Sequence, residues 1–177
     1  MKRVLDLGCG RKKRPGAIGV DCNASVAADI VHDLNQFPYP FEDGEFDEIH
    51  LEHVLEHLDD VVRVVEEVFR ICRPGGMVKV IVPYFRSHLA CMDPTHKHFF
   101  TVNSFAYFEP SHPFYERYAY TRARFRVTKI VFNEMLEGRW FKRFVVALAN
   151  RWPRYYEYYF SQLAPVDTIT YDLERCL

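Results

Sequence analysis

Val4-Leu5-Asp6-Leu7-Gly8-Cys9-Gly10 is followed, after only eight residues, by Gly19-Val20-Asp21. Both stretches join a short apolar run to glycine and a carboxylate. In an α/β sheet such glycines let a ligand approach the backbone where a side chain would collide. A carboxylate ending the next strand can accept two neighbouring hydroxyls. The pattern therefore predicts a nucleoside-type site at the ends of the first strands. It fails as a dinucleotide fingerprint, because the third glycine would fall at Lys13. The run Arg11-Lys12-Lys13-Arg14-Pro15-Gly16 also gives little sign of the helix N-terminus that a pyrophosphate needs.

Outward from this turn, short apolar runs alternate with turn signals. Strands are expected at 4–7, 17–20, 30–31, 48–51 and 77–82, in a parallel sheet buried on both faces. Val61, Val64, Val65, Val68, Phe69 and Cys72 recur at helical spacing after Asp59-Asp60, with Arg70 and Arg73 at the far end before Pro74-Gly75-Gly76. Acids at the start and bases at the end suit the helix dipole, and strand, helix and strand together make a βαβ unit. In the second half, helices are expected at 139–150 and 154–163, and strands at 124–132 and 168–173.

The chain has 177 residues, 49% of them hydrophobic, which excludes disordered and collagen-like classes. A chain of this length typically buries roughly 70% of its unfolded surface, so one domain over 1–177 is expected. The net charge of −1 excludes a globally basic nucleic-acid binder. Neither a signal peptide before Val4 nor a membrane-length apolar stretch is evident, so a soluble, cytoplasmic protein is expected. Five scattered cysteines without Cys-x-x-Cys spacing argue for reduced thiols. The near-zero charge hides an asymmetry: 10 basic and 15 acidic residues precede Tyr84, against 13 and 9 from there onward. Of the 28 aromatic residues, 22 lie between Tyr84 and Phe160.

The ordered series Val4–Gly10, Gly19-Val20-Asp21, Asp33-Leu34, Phe37-Pro38, Phe41, Phe46-Asp47, Glu52-His53-Val54-Leu55-Glu56-His57 and Arg73-Pro74-Gly75-Gly76 resembles the class I S-adenosylmethionine (SAM)-dependent methyltransferases. The residues beyond Pro83 are similar to small bacterial and archaeal members of unassigned substrate. The resemblance implies a three-layer, Rossmann-like α/β fold with a mostly parallel seven-stranded sheet. It divides the chain into a SAM-binding half, 1–83, and an acceptor-binding, sheet-completing half, 84–177. It also implies that Gly8 and Gly10, with Cys9, underlie the methionine part of SAM, and that Asp6 holds its ammonium. Asp21, beside Cys22, would take the ribose hydroxyls. Asp33 and the Leu34 amide would take the adenine, and Glu52-His53 would line the sulfonium side. Acid-rich walls suit a sulfonium cation better than phosphates.

The departures matter too. A parallel crossover usually needs a dozen or more residues, yet only 11–18 separate Gly10 from Gly19, and 22–29 is equally short. The first crossover helices are therefore expected to be trimmed, with the aromatic half or a second subunit in a homodimer covering the first strands.

His53-x-x-Glu56-His57 matches a metalloprotease pattern, but zinc needs a third protein ligand and the segment also suits the methyltransferase series. No metal is expected, and His57 reads as a residue that ties the loop to the following helix. Arg11-Lys12-Lys13-Arg14 reads as a solvated turn, with contact to the SAM carboxylate or an acidic substrate as its minor alternative. Asp93-x-x-His96-x-x-x-Phe100-Thr101 also occurs in methyltransferases that this sequence resembles, within an active-site lid. His96 is the expected base or substrate ligand, Asp93 its orienting partner, and His88 a further catalytic candidate; His98 and Tyr84 are alternates. Asp93 capping a turn, or Asp93, His96 and His98 around a metal, are the competing readings.

Between Arg117 and Arg154 there are ten Lys/Arg and two acids, interleaved with Tyr118, Tyr120, Phe125, Phe132, Trp140, Phe141, Phe144 and Trp152. Core packing accounts for most of these rings, since Phe141, Phe144, Val145 and Leu148 share a helical stripe. Basic and aromatic residues together also suit RNA or an acidic acceptor. The expected function is methyl transfer from SAM to an O or N atom of a small-molecule or glycan-type acceptor. RNA methylation and a non-catalytic SAM-binding scaffold are the alternatives.

Overall fold

The computed structural model describes residues 2–133 and 140–177. Seven strands form one sheet: β1 (Val4–Leu7), β2 (Ile18–Asp21), β3 (Ile30–Val31), β4 (Phe46–Glu52), β5 (Cys72–Pro83), β6 (Phe125–Asn133) and β7 (Thr168–Arg175). Their order is β3-β2-β1-β4-β5-β7-β6, with β7 antiparallel to both neighbours and the first five parallel. This is the α/β, Rossmann-like arrangement with a mostly parallel seven-stranded sheet. The order reverses at β1, so the ends of β1 and β4 open onto the crevice where such sheets bind ligands.

Helix α1 (Val61–Ile71) makes the β4-to-β5 crossover. Asp60 caps it, accepting the Arg63 amide at 3.0 Å, and Val64, Val65, Val68 and Ile71 are its buried positions. The chain passes straight from α1 into β5, so Pro74-Gly75-Gly76 lies inside the strand rather than before it. Arg70 ends the helix by binding Glu67 and Asp43 and donating to the carbonyls of Tyr39 and Phe41.

The expected burial of both sheet faces is realised only in part: on the second face Asp6, His50 and Thr170 are buried, whereas Glu48, Lys79, Asp172 and Glu174 are half-buried. Leu5, Leu7, Ile49, Leu51, Val78, Val80, Tyr171 and Leu173 are buried in register on the face that α1 covers. The alternate positions carry Asp6, Glu48, His50, Lys79, Asp172 and Glu174, joined by the ion pairs Lys79–Asp172 and Arg126–Glu174. One face is apolar and the other polar. The alternation Glu48-Ile49-His50-Leu51-Glu52 already carried this signal in the sequence.

The trimmed crossovers are present as loops: no helix occurs between β1 and β2 or between β2 and β3. Their cover does not come from the aromatic half. Its buried rings Phe105, Phe125, Phe132 and Tyr156 pack on the α1 face against Tyr171, Phe69 and Tyr84. Short helices α2 (His88–Met92) and α3 (Pro113–Tyr118) precede β6. Helix α4 (Trp140–Arg151) lies along the β6 edge, where Asn150 exchanges two hydrogen bonds with the Phe132 backbone at 2.6 and 2.9 Å. The expected helix start at Arg139 lies outside the described residues. The second expected helix, 154–163, is present over 153–160 as α5 (Pro153–Tyr155) running directly into a π-helix at Tyr156–Phe160, and it ends three residues early.

The proposed aromatic stripe on α4 is not core. Phe141 and Phe144 are exposed, and the buried positions are Val145 and Ala149. Only Phe125 and Phe132 of the eight rings named between Arg117 and Arg154 are buried. Against a strand edge, a helix buries a narrow seam of small side chains and leaves its broader apolar flank outside.

Candidate functional site

The turn after β1 is held by backbone bonds from Gly8 and Cys9 to the Val20 carbonyl, at 2.8 and 3.0 Å. The Gly10 amide donates to the Asp21 carboxylate at 2.9 Å, which joins the ends of β1 and β2. Gly8 and Gly10 both have positive φ, +69° and +51°, a region that L side chains rarely adopt. They differ in surroundings. A Cβ on Gly8 would lie 2.3 Å from Val54, whereas one on Gly10 would meet nothing within 4 Å. Gly8 is required for close packing, and Gly10 borders open space.

That space is a cleft of about 570 Å³ lined by Asp6, Gly8, Cys9, Gly10, Arg11, Lys12, Arg14, Pro15, Glu52 and His53. Six residues proposed for the cofactor therefore share one wall: Asp6, Gly8, Cys9, Gly10, Glu52 and His53. Asp21 adjoins through Gly10. Cys22 is exposed beside it, Asp33 is exposed and Leu34 buried beyond β3, and none of these three lines the cleft. The Asp33 carboxylate accepts the Asn35 amide, and the Leu34 carbonyl accepts the Tyr39 hydroxyl. Burial, followed by the charges of Asp21 and Asp6, pushes the Cys9 thiol up.

The short crossover is closed by carboxylates instead of a helix. Asp6 accepts the Arg14 amide at 2.8 Å. Asp29 accepts the Gly19 amide at 2.7 Å and both contacts of Lys13 at 2.8 and 2.9 Å, which hold its carboxyl below the ordinary range. Lys13 and Arg14 are thus half-buried and engaged, while Arg11 and Lys12 are exposed on the cleft wall. The solvated-turn reading holds only for the latter pair. Asp29 and Arg14 were not foreseen; the signal for Asp29 was a carboxylate in a crossover too short for a helix.

After β4, His53 has φ +55° and its amide donates to Ile81 O at 2.8 Å. Its Nδ1 lies 3.3 Å from Glu56, whose carboxylate outweighs burial and raises the imidazole's proton affinity. A 3₁₀ turn, Leu55–His57, follows. The 93–98 segment is stitched onto this region: the Lys97 amide donates to Glu56 O, Lys97 Nζ to Asp59, and His98 Nε2 bonds Leu58 O. His96 is thereby brought against His57, ring centroids 4.6 Å apart.

The expected Asp93–His96 pairing is different in detail. Asp93 Oδ1 accepts the Thr95 amide and hydroxyl, as in an Asx turn, and Thr95 Oγ1 meets His57 Nδ1 at 2.9 Å. His96 Nδ1 instead bonds Ala90 O at 3.1 Å. His57 accordingly ties the segment to the 93–98 loop rather than to α1. His88 is exposed at the start of α2, whereas Tyr84 is fully buried beside Phe132 and Tyr156 and has no surface to offer a substrate.

Among the described residues, no helix is long and apolar enough to cross a membrane. Residues 5–80 match a family model described as a methyltransferase domain. A chloroplastic tocopherol O-methyltransferase from Arabidopsis thaliana is 25% identical over 104 residues, 46% of this chain and 30% of that protein. The chain thus spans about a third of the length of that curated relative. A SAM-dependent methyltransferase from Archaeoglobus fulgidus superposes with a TM-score of 0.60 at 19% identity, covering 98% of this chain and 86% of that one. The [4+2]-cyclase SpnF superposes with a TM-score of 0.58 at 15% identity, covering 99% and 76%. With the strand order, the antiparallel β7 and the match of residues 5–80, the chain has the class I, Rossmann-like fold of the SAM-dependent methyltransferase superfamily.

Proposed function

We propose that the chain is a SAM-dependent methyltransferase acting on an O or N atom of a small-molecule or glycan-type acceptor. The observation that carries this reading is the β1 cleft: a positive-φ Gly10 facing open space, with carboxylates at the ends of β1 and β2. That donor set fits a ligand bearing an ammonium, a ribose and a sulfonium. SAM supplies a methyl carbon activated by positively charged sulfur and leaves as S-adenosylhomocysteine once the acceptor bonds that carbon.

In this reading Asp6 holds the ammonium, with Gly8, Cys9 and Gly10 beneath the chain. Asp21, next to Cys22, takes the ribose hydroxyls, Asp33 and the Leu34 amide take the adenine, and Glu52-His53 borders the sulfonium. Arg11 and Lys12 are added as partners for a carboxylate. Alignment of acceptor and methyl provides most of the acceleration, and a base matters for a hydroxyl or protonated amine. His96 is the acceptor-side ligand or base, Asp93 positions its loop through Thr95, and His88 is the alternate.

The test is incubation of the protein with methyl-labelled SAM and a cell extract. Label in the small-molecule or glycan fraction is the expected result. Label on RNA would move the reading to the alternative supported by exposed Trp152, Tyr155 and Tyr158 beside Arg151 and Arg154, and binding would then fall steeply with salt. SAM binding with no label transferred would make the protein a scaffold.

A further inference from the structure

We propose that Glu56, His57 and His96 form a binding site for a divalent first-row transition ion, zinc foremost. The Glu56 carboxylate is 1% exposed, and neither oxygen receives a hydrogen bond. His53 Nδ1 stands 3.3 Å from it. The Glu56 oxygens therefore keep lone pairs that no hydrogen-bond donor occupies and that a cation can take.

The two imidazoles are prepared for that cation by their hydrogen bonds. Thr95 has a single hydroxyl proton, and it is committed to Asp93, which can only accept. The Thr95 oxygen therefore accepts from His57 Nδ1, and the neutral ring then carries its lone pair on Nε2. At His96 the partner of Nδ1 is the Ala90 carbonyl, again an acceptor only, so the neutral ring carries its lone pair on Nε2. Metal-bound histidines are oriented in just this way, by donating the far nitrogen to a carbonyl or a carboxylate-linked group.

One ligand atom from each of Glu56, His57 and His96 lies within 4.8 Å of the others. Ligands about 2.0–2.1 Å from zinc are separated by roughly 3.3 Å, so small side-chain rotations close the site. Two imidazoles and a carboxylate suit zinc, and three protein ligands leave a position open for water or a substrate oxygen. The sequence pattern His53-x-x-Glu56-His57 pointed to another set. His53, with φ +55°, precedes the 3₁₀ turn and pairs with Glu56, and the second imidazole comes from the downstream loop. As His53 also lines the cleft, the ion would sit on its acceptor side and favour an oxygen acceptor by lowering a bound hydroxyl's pKa. That consequence rests on the methyl-transfer reading; metal binding does not.

The test is calorimetric titration of the chelator-stripped full chain with Zn²⁺, and visible absorption with Co²⁺. One equivalent is expected, with the intense d–d bands of a low-coordinate N/O site. His96→Gln and Glu56→Gln should each lower affinity by at least tenfold, and Thr95→Val by about 10–100-fold through His57. Circular dichroism confirms that each variant is folded, and thermal stabilisation by SAM, measured on the same variants, tests the cofactor reading separately. Absence of stoichiometric Zn²⁺ binding by the folded wild type, or affinity unchanged in all three variants, would overturn the proposal.

Discussion

The carboxylate of Asp21 accepts the amide of Gly10 at 2.9 Å, so the cleft-facing turn after β1 is set by the acid that ends β2. The two glycines of that turn should respond differently to the same change. Gly8→Ala adds a Cβ 2.3 Å from Val54 to a strained φ and should cost about 3 kcal/mol or more. Gly10→Ala bears only the conformational cost, about 1–2 kcal/mol, because its Cβ points into open space. Urea unfolding of both variants measures the difference, and the Gly10 variant should instead lose affinity for SAM.

Acid stability should report on Glu67. Burial alone would raise its carboxyl, but the Arg70 hydrogen bond, the Tyr39 amide and the Arg70 charge outweigh it and hold the group below its ordinary 4.5. A lowered carboxyl stabilises fully above its unfolded value and ceases to do so as pH falls through the folded value. Wild type should therefore exceed Glu67→Gln by about 1–2 kcal/mol near pH 7. Thermal melts against pH should show that gap closing as the pH drops below 4.5.

Asn150 satisfies both backbone groups of Phe132 on the outer strand β6. Asn150→Ala leaves that pair without its partner and should cost about 2 kcal/mol in chemical denaturation. Hydrogen exchange at the Phe132 amide should accelerate in the same variant.

The exposed rings of α4 give a contrast between neighbours. Phe141→Ser and Phe144→Ser should change stability by no more than about 0.5 kcal/mol, as surface substitutions do. Val145→Ala, on the buried seam, should cost about 1–2 kcal/mol. Equal large losses at all three positions in urea unfolding would restore the stripe to the core.

The strands were legible because their apolar runs are short and end in turn residues, and α1 was legible from its period and the Asp60 cap. The polar face was legible too, in the alternation through Glu48 and His50, but a parallel sheet with helices on both faces is the commoner arrangement and prevailed. Phe141 and Phe144 misled because periodicity shows that a helix has an apolar flank, not that anything covers it. His57 and His96 could be named from their motifs, yet their meeting depends on Lys97, His98 and Thr95 fastening one loop to another, which no local pattern encodes. Asp29 stands in a crossover too short for a helix, which the sequence shows, but its partners Gly19 and Lys13 are displayed only by the folded backbone.

The most direct measurement is the thermal shift produced by SAM and S-adenosylhomocysteine on wild type and Asp21→Ala. With ligand at about 100 times Kd, wild type should gain roughly 2.7 kcal/mol, or about 5–10 °C. The Asp21 variant, shown to be folded by circular dichroism, should lose most of that shift at the same concentration. No shift in the wild type at saturating ligand, or an undiminished shift in Asp21→Ala, would contradict the assignment of the β1 cleft to SAM.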